Sequence, residues 1–509
     1  MSNIVIGKYT LESLTSGMYS DPYIIYREYV QNASDSIDEA LEAGVLKCGN
    51  DQIDIYLSPT ERHICICDNG LGILASDVER TLISIGNSKK NAHNSRGFRG
   101  IGRLSGLSYC AKLIFETSAY NESGGTRVVI DAHKLSELLA SEEESDTTVS
   151  EVLQTVYKIE QFVENASAHY FKVKMDGVDD SLKLNDFQEV VTYISQNAPV
   201  PYGHDGFAWG KEITRRLNQE GFEIHHYNIS VTYGNKTVYV YKPYKDEFLV
   251  DKGKNLFDRI EDISIIKISP EDDAFYAIGW IAKTNYFGSI YDKSIKGIRL
   301  RKGNILIGDS QTLNVVFKDA RFNGWSIGEV FAIDSKLIPN ARRDNFEKNT
   351  AYMLLFEYMT NIASGITKDI RTASLKRNSE LSVALNNSVE FTQSATRVIE
   401  NGVDSSDKRF IRQKLASAQE AIANSQLNDD TGLYYQEIAF EELDMLIGKL
   451  QGATSFKAIN TIAGLSKTEK KILEKVLYII VNKLGIEADN LVDAIIDEFA
   501  KKEVNYGVN

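Results

Sequence analysis

The sequence predicts an α+β protein in three parts. These are a mixed helix-and-strand domain over residues 1–205, a strand-rich α/β domain over 206–349 and an all-helical domain over 350–509. Three observations carry this reading. All seven prolines (Pro22, Pro59, Pro199, Pro201, Pro243, Pro270 and Pro339) lie before residue 340, and a helix interior excludes proline because it removes a hydrogen bond and clashes with the preceding turn. The proline-free remainder repeats its apolar residues at helical period. At 509 residues the chain is also too long for a single hydrophobic core.

The first part opens on a helical run, Tyr23 to Ala43, followed by two strands, Ile53–Leu57 and His63–Cys67, joined at Ser58–Pro59–Thr60. Val78 to Ile85 reads as helix; Ala111–Thr117, Arg127–Ile130 and Tyr170–Met175 read as strands. The acidic run Ser141 to Asp146 reads as a solvated loop. Ala198–Pro199–Val200–Pro201 marks a domain edge. Beyond it Ile224–Tyr233, Val238–Tyr241, Ala274–Ala282 and Lys296–Ile307 are candidate strands. Helices are expected over Tyr352–Leu375, Asp407–Asn424, Tyr435–Leu450 and Lys467–Leu484, with breaks at Gly402, Asn428–Gly432, Gly452 and Gly464.

Composition narrows the function classes. Hydrophobic residues make up 43 % and charged residues 25 %, which builds a core and excludes a wholly disordered chain. With 57 Lys and Arg against 71 Asp and Glu the net charge is −14, which weighs against non-specific nucleic-acid binding. No apolar run reaches the roughly 18 residues a membrane span needs. Met1 to Tyr9 lacks the basic-then-apolar order of a secretory signal. The four cysteines include no CxxC pair, and they read as buried thiols in a reducing cytosol. His225 and His226 are adjacent, so a strand would point them to opposite sides, a poor metal pair. A cytoplasmic protein with no membrane contact is expected.

Three motifs carry chemistry. In Tyr26–Asp35, the residues Glu28, Asn32 and Asp35 stand at i, i+4 and i+7, on one helix face. Asn and Asp are poor mid-helix residues and need another reason to be there. In Ile64–Ile73, a buried strand delivers Asp68 into a loop with Gly70 and Gly72, glycines that let a flat ligand approach the backbone. The series Gly70-x-Gly72-x-x-Ala75 also imitates a dinucleotide fingerprint, but no strand-end acid follows about 20 residues later. Third, Gly97–Gly106 is a glycine-rich loop before a helix, whose amides suit phosphate. It has P-loop spacing at Gly97 and Gly102, yet Arg103-Leu104 stands where Lys-Ser/Thr would contact phosphate and Mg²⁺.

In their order and spacing these motifs resemble the GHKL ATPases: the gyrase, ninety-kilodalton heat-shock chaperone, histidine kinase and MutL families. Gly86-Asn87-Ser88-Lys89-Lys90 resembles the lid-edge motif of the chaperone and MORC branches, bringing in Ser88 and Lys90. The resemblance covers about the first 130 residues. It implies a Bergerat fold, a mixed sheet with helices on one face, in which Tyr170–Met175 would be the closing strand. Further on, Gly328–Asp334 and Ile338–Asp344 resemble the middle, transducer-like domain of the chaperone branch, where an arginine reaches the γ-phosphate. Arg343, followed by Asp344, is the better match, with Arg342 left open beside it and a surface basic pair as the competing reading.

The resemblance implies these roles. Glu28 orients and deprotonates the attacking water, and Asn32 offers its amide oxygen to Mg²⁺. Asp35 supports the adenine side or the helix packing, Asp68 accepts from the adenine amino group, and Gly70 and Gly72 make room for the base. Gly97, Gly100, Gly102 and Gly106 form the phosphate lid, with Arg99 and Arg103 as candidate phosphate partners and solvent-facing lid charges as the equal alternative. Glu28, and the lack of room for a phospho-accepting helical hairpin before Tyr9, favour hydrolysis over protein phosphorylation. The expected protein is an ATP- and Mg²⁺-dependent conformational clamp, homodimeric through its ATPase domain and acting on a protein client. The alternatives are a MORC- or MutL-like nucleic-acid-handling ATPase, in a bacterial defence locus, and a nucleotide-gated scaffold without turnover.

Overall fold

The computed structural model of the chain describes residues 21–83, 102–141, 148–269, 275–400, 405–452, 459, 462, 464–484 and 488–501. The chain divides into two compact units. The first is Met1–Asn285 with Ser289–Ile366; the second is Tyr286–Gly288 with Thr367–Asn509.

The first unit contains two sheets. The larger has eight strands: β1 (Ile53–Ser58), β2 (His63–Asp68), β3 (Lys112–Ser118), β4 (Gly124–Asp131), β5 (Tyr157–Val163), β6 (Tyr170–Asp176), β7 (Ile229–Tyr233) and β8 (Lys236–Tyr239). Their order is β5-β4-β3-β6-β2-β1-β7-β8. All neighbours are antiparallel except β1 and β7, which run parallel. The sheet is therefore mixed, as expected. Period-2 alternation puts one row of apolar residues on a single face: Val231, Ile55, Ile66, Val173, Phe115 and Val128 are successive cross-strand neighbours. All are buried in one core with Ile25, Tyr29 and Ile37 of helix α1 (Ile24–Glu42) and Leu82 of the short helix α2 (Val78–Leu82). The same core takes Leu135 of α3 (Ala132–Ala140), Val152 of α4 (Val149–Val156) and Val190 of α5 (Phe187–Asn197).

The described strands and helices of the first two motifs fall where the periodicity puts them. Tyr170–Met175 does not close the sheet. It lies inside, between β3 and β2, because β5 and β8 hold the edges. The edge strand β5 escapes the alternation rule because it is exposed along most of its length. Ile224–Tyr233 is strand only from residue 229, and His225 and His226 precede it in non-strand backbone. The anticipated edge at Ala198–Pro201 is spanned by hydrogen bonding: Tyr227 N donates to Pro199 O and Lys242 N to Pro201 O, both within the first unit. The acidic run is described only at Ser141, residues 142–147 lying outside the described residues.

The second sheet has β9 (Glu247–Asp251), β10 (Leu256–Ile268), β11 (Ala277–Thr284), β12 (Gly297–Lys302), β13 (Ile305–Ile307) and β14 (Ile327–Ala332), in the order β13-β12-β14-β11-β10-β9. Lys296–Ile307 is thus two strands, split by a turn at Gly303–Asn304 where both residues have positive φ. Helix α6 (Trp209–Gln219) packs Ile213 and Leu217 onto this sheet's core around Trp280. At the heart of the sheet Glu329, Lys242 and Arg301 have side chains with no exposure. Lys242 Nζ donates to both Glu329 oxygens, at 2.7 and 2.9 Å, and to Asn304 Oδ1 at 2.8 Å. Arg301 Nε donates to Glu329 Oε1, and its Nη2 donates to Gln196 O at the end of α5, at 2.9 Å. Tyr202 OH donates to Glu329 Oε2 at 2.7 Å. Burial works to raise the Glu329 carboxyl, but Arg301 and Lys242 outweigh it and hold it well below the carboxylate range. Burial, with Arg301 nearby, pushes Lys242 down to about 7.

The second unit is helical among its described residues. Its helices are the end of α7 (Thr350–Arg377), then α8 (Ser379–Glu400), α9 (Ser405–Ala423), α10 (Asp430–Gly452), α11 (Lys467–Leu484) and α12 (Ala488–Lys501). Leu381, Leu415, Ile422, Leu443 and Leu450 form one core; Leu473, Leu477, Val492 and Ile496 form another. Of the expected breaks, Gly464 is a turn with φ +86°, Gly452 ends a helix, and Gly402 lies outside the described residues. No described helix is long and apolar enough to cross a membrane.

Candidate functional site

Helix α1 supplies the first wall. Its apolar residues seal one side onto the sheet, which leaves Glu28, Asn32 and Asp35 on an adjoining face. Glu28 and Asp35 are nonetheless buried, at 3 % and 6 % exposure, while Asn32 is half-buried. Burying carboxylates on a helix is costly unless each is partnered; Glu28 meets Arg343, as described below.

The second wall is the end of β2. Asp68 lies on the same side of the strand as Ile64 and Ile66 and so points toward the helix layer, 4 % exposed. Its Oδ1 accepts the Gly70 amide at 2.9 Å, which bends the chain beneath α1. A Cβ on Gly70 would come within 2.7 Å of the Ser36 carbonyl carbon. Gly72 has φ +72°, and a Cβ there would fall 2.0 Å from Ser118 O. Only glycine allows the backbone this close to the end of β3. His169 Nδ1 sits 2.9 Å from Gly70 O, and Thr117 Oγ1 accepts the Ile73 amide at 2.9 Å and donates to Tyr170 O at 3.0 Å. The cradle is thus closed from three strands.

The third wall is the end of the glycine-rich segment, a 3₁₀ run over Gly102–Ser108. A Cβ on Gly102 would lie 1.9 Å from Glu28 Oε2, so this backbone rests directly on the carboxylate. Tyr29 OH donates to Arg103 O at 3.1 Å and accepts the Gly106 amide at 3.0 Å, tying the segment to α1. Burial lowers the Arg103 guanidinium to about 10, and its Nε donates to Leu82 O at 3.2 Å. Burial raises the Cys65 and Cys67 thiols to about 11 and 12, leaving them inert. Gly97, Arg99, Gly100, Ser88 and Lys90 lie outside the described residues.

The fourth contribution comes from far along the chain. A loop is closed by Pro339 opposite Phe346 and by Asn340 N donating to Asn345 O. At its tip Arg343 has φ +56°, a left-handed conformation uncommon for a non-glycine residue. Its amide donates to Asn340 O at 3.1 Å, and its carbonyl accepts from Gly308 N at 2.8 Å. Held this way, Arg343 Nε lies 2.6 Å from Glu28 Oε1, Nη2 donates to Glu28 Oε2 at 3.2 Å, and Nη1 donates to Gln31 Oε1. Arg342 does not share this position: its carbonyl accepts from Arg27 Nη2 at 3.0 Å.

The structure therefore brings Glu28, Gly102 and Arg343 together, and gathers Asp68, Gly70 and Gly72 beneath the next turns of α1. Gln31, Thr117 and His169 were not singled out from the sequence. Gln31, one helical turn from Glu28, carried the spacing signal; Thr117 and His169 lie in unrelated segments that only the sheet unites. Among the described residues no cluster of three or more His, Cys, Asp or Glu could hold a metal.

Residues 26–159 match the family model described as histidine kinase-, DNA gyrase B-, and HSP90-like ATPase. Three proteins named "Chaperone protein HtpG" are also similar. That of Halalkalibacterium halodurans is 24 % identical over 228 residues, 38 % of this chain and 36 % of the relative. That of Fusobacterium nucleatum is 30 % identical over 137 residues, 23 % and 22 % of the two chains. That of Methylibium petroleiphilum is 26 % identical over 224 residues, 42 % and 34 %. The chain thus spans 22 to 36 % of the length of these curated relatives.

Proposed function

We propose that this protein, a GHKL ATPase near the Hsp90 branch, hydrolyses ATP with Glu28 as the base and Arg343 as the phosphate-neutralising cation. The observation that supports the reading is the pairing of these two side chains, 315 positions apart, with Glu28 on the face of α1 that also carries Asn32 and Asp35. A structural ion pair has no need of a left-handed backbone at a loop tip.

The mechanism follows from what each group can do. Asp68, buried and fixed by the Gly70 amide, accepts a hydrogen bond from the adenine amino group. Guanine presents a carbonyl there, which would set two acceptors face to face and be rejected. Gly72 lets the loop after Asp68 pack against the end of β3, which sets the floor beneath the base. Glu28 takes the proton of the water that attacks the γ-phosphorus; the bond to the β,γ-bridging oxygen breaks, and ADP and phosphate leave. To act as base Glu28 must first release Arg343, which then turns to the γ-phosphate oxygens and offsets their charge. Asn32 would hold Mg²⁺, whose part is to neutralise phosphate charge. Glu28 and Arg343 thus pair with each other in the resting state and with water and phosphate in the working state.

On this reading the protein is a cytoplasmic, homodimeric ATP-driven clamp on a protein client, closing with ATP and resetting on hydrolysis. The test is steady-state ATP turnover of the wild type beside Glu28→Ala and Asp68→Asn, with and without DNA. Glu28→Ala should bind ATP yet turn over at least about a hundredfold more slowly, and Asp68→Asn should lose ATP binding. Equal turnover in all three proteins sinks the assignment, and stimulation by DNA would replace the protein client with nucleic acid.

A further inference from the structure

A cavity of about 520 Å³ lies behind the Arg343 loop, between the start of α1, the end of α5 and the chain after β13. Six charged side chains line it: Arg27, Lys293 and Arg342, with Asp21, Asp309 and Asp344. The residues assigned above to nucleotide, Glu28, Asn32, Asp35, Asp68, Gly70 and Gly72, are not among its lining.

The carboxylates are already engaged. Asp21 Oδ1 accepts the Tyr23 amide at 3.0 Å, Asp309 Oδ1 the Gln311 amide at 2.7 Å, and Asp344 Oδ1 the Asn340 side-chain amide at 2.6 Å. The cations are not. Arg27 is 7 % exposed and its Nε has no acceptor. Its Nη2 reaches a carbonyl, Arg342 O, rather than an acid. Among the described residues none of Arg27, Lys293 and Arg342 has a carboxylate within 4.0 Å. A buried guanidinium N–H without an acceptor is destabilising, and opposite charges that share a cavity without pairing leave room for a third party. The hydroxyls of Ser310 and Thr312 line the same cavity.

We propose that this cavity binds a small phosphorylated anion, separate from the nucleotide pocket. Three cationic donors around one space match the several acceptor oxygens of a phosphate group better than a lone carboxylate, while Asp21, Asp309 and Asp344 in the same lining temper the attraction. The site requires nothing of Glu28 or Asp68 and stands whether or not the chain hydrolyses ATP.

The experiment is calorimetric titration of the full chain with pyrophosphate, in the presence of a saturating non-hydrolysable ATP analogue. Saturable binding is expected in the wild type and weakened about tenfold or more in Lys293→Ala, since a hydrogen bond to a charged group is lost. Lys293 is exposed at the cavity rim, so this variant should fold, and an unchanged thermal midpoint checks that it does. No binding by the wild type, or equal binding by Lys293→Ala, would overturn the proposal. Should the analogue itself fail to bind, the ATPase reading fails while the pyrophosphate titration still reports on this cavity.

Discussion

Glu28 and Glu329 are both buried glutamates that meet an arginine, and their surroundings differ in kind. Around Glu329 the donors and acceptors are matched: Lys242, Arg301 and Tyr202 all reach its carboxylate, and Asn304 and Gln196 take the remaining donors of the two cations. The side chains of Glu329, Lys242 and Arg301 have no exposure. Around Glu28 the matching is incomplete. Arg27 Nε and Gln31 Nε2 are buried without partners, the Arg343 side chain keeps 14 % exposure, and Arg343 sits on left-handed backbone. A closed polar network fixes shape, because every departure from it strands a charge. An incomplete one beside a pocket leaves its members able to exchange partners. The first joins the end of α5 to the second sheet; the second faces the space where a reacting phosphate would lie.

The largest effect should separate the two carboxylates directly. Glu329→Gln leaves Lys242 and Arg301 buried with no counter-charge, and breaking such a network costs about 3–5 kcal/mol. Glu28→Gln should cost less, because the amide can still accept from Arg343, whose side chain keeps 14 % exposure and so is not stranded as Lys242 and Arg301 are. Denaturant unfolding of the three proteins decides between them. Equal losses would mean that Glu28, too, is chiefly structural.

The next effect tests position rather than charge. An alanine Cβ at Gly102 would press on the Glu28 carboxylate, the movable end of a side chain, and should shift it by about 1 Å. Misplacement of that order costs about a hundredfold in rate. Gly102→Ala should therefore slow ATP turnover by about that factor while its thermal midpoint stays near that of the wild type. Gly72→Ala is the contrast, since its Cβ would meet the Ser118 carbonyl oxygen of the backbone and carry φ +72°; it should lose stability as well. A Gly102→Ala protein with wild-type turnover would remove the segment from the site.

How much of this was legible in the sequence depends on how local each signal is. Helix α1 and strand β2 carry their own periodicity, so Glu28, Asn32, Asp35 and Asp68 could be located, together with their faces. The tip of the Arg343 loop could be located but not aimed: adjacent arginines look alike until the turn from Asn340 to Asn345 fixes which of them faces α1. The strands β5 and β10 were not read, the first because it is an exposed edge and the second because its 13 residues mix both faces. The parallel pairing of β1 with β7 was beyond reach as well, because it joins residues 53–57 to 229–233 and nothing in either segment names the other. The Lys242–Arg301–Glu329 network is of the same kind, three charges from separate strands and loops whose burial no local pattern announces.

The smallest effect concerns Gln31, the residue that completes the Arg343 position. Its Oε1 accepts from Arg343 Nη1 while Glu28 takes the other two nitrogens. If, as proposed, Arg343 leaves Glu28 for phosphate, the Gln31 contact is the one that can persist and keep the guanidinium pointed inward. Gln31→Ala removes a single hydrogen bond, worth about 0.5–1.5 kcal/mol net, so turnover should fall by about twofold to tenfold. Because Gln31 faces Arg343 rather than the base-binding end at Asp68, the loss should appear in kcat, with KM for ATP unchanged. Paired with Arg343→Ala in a double-mutant cycle, Gln31→Ala should add nothing further, since its partner is already gone. Independent, additive losses would show instead that Gln31 acts on Glu28 alone, and the exchange of partners by Arg343 would have to be given up.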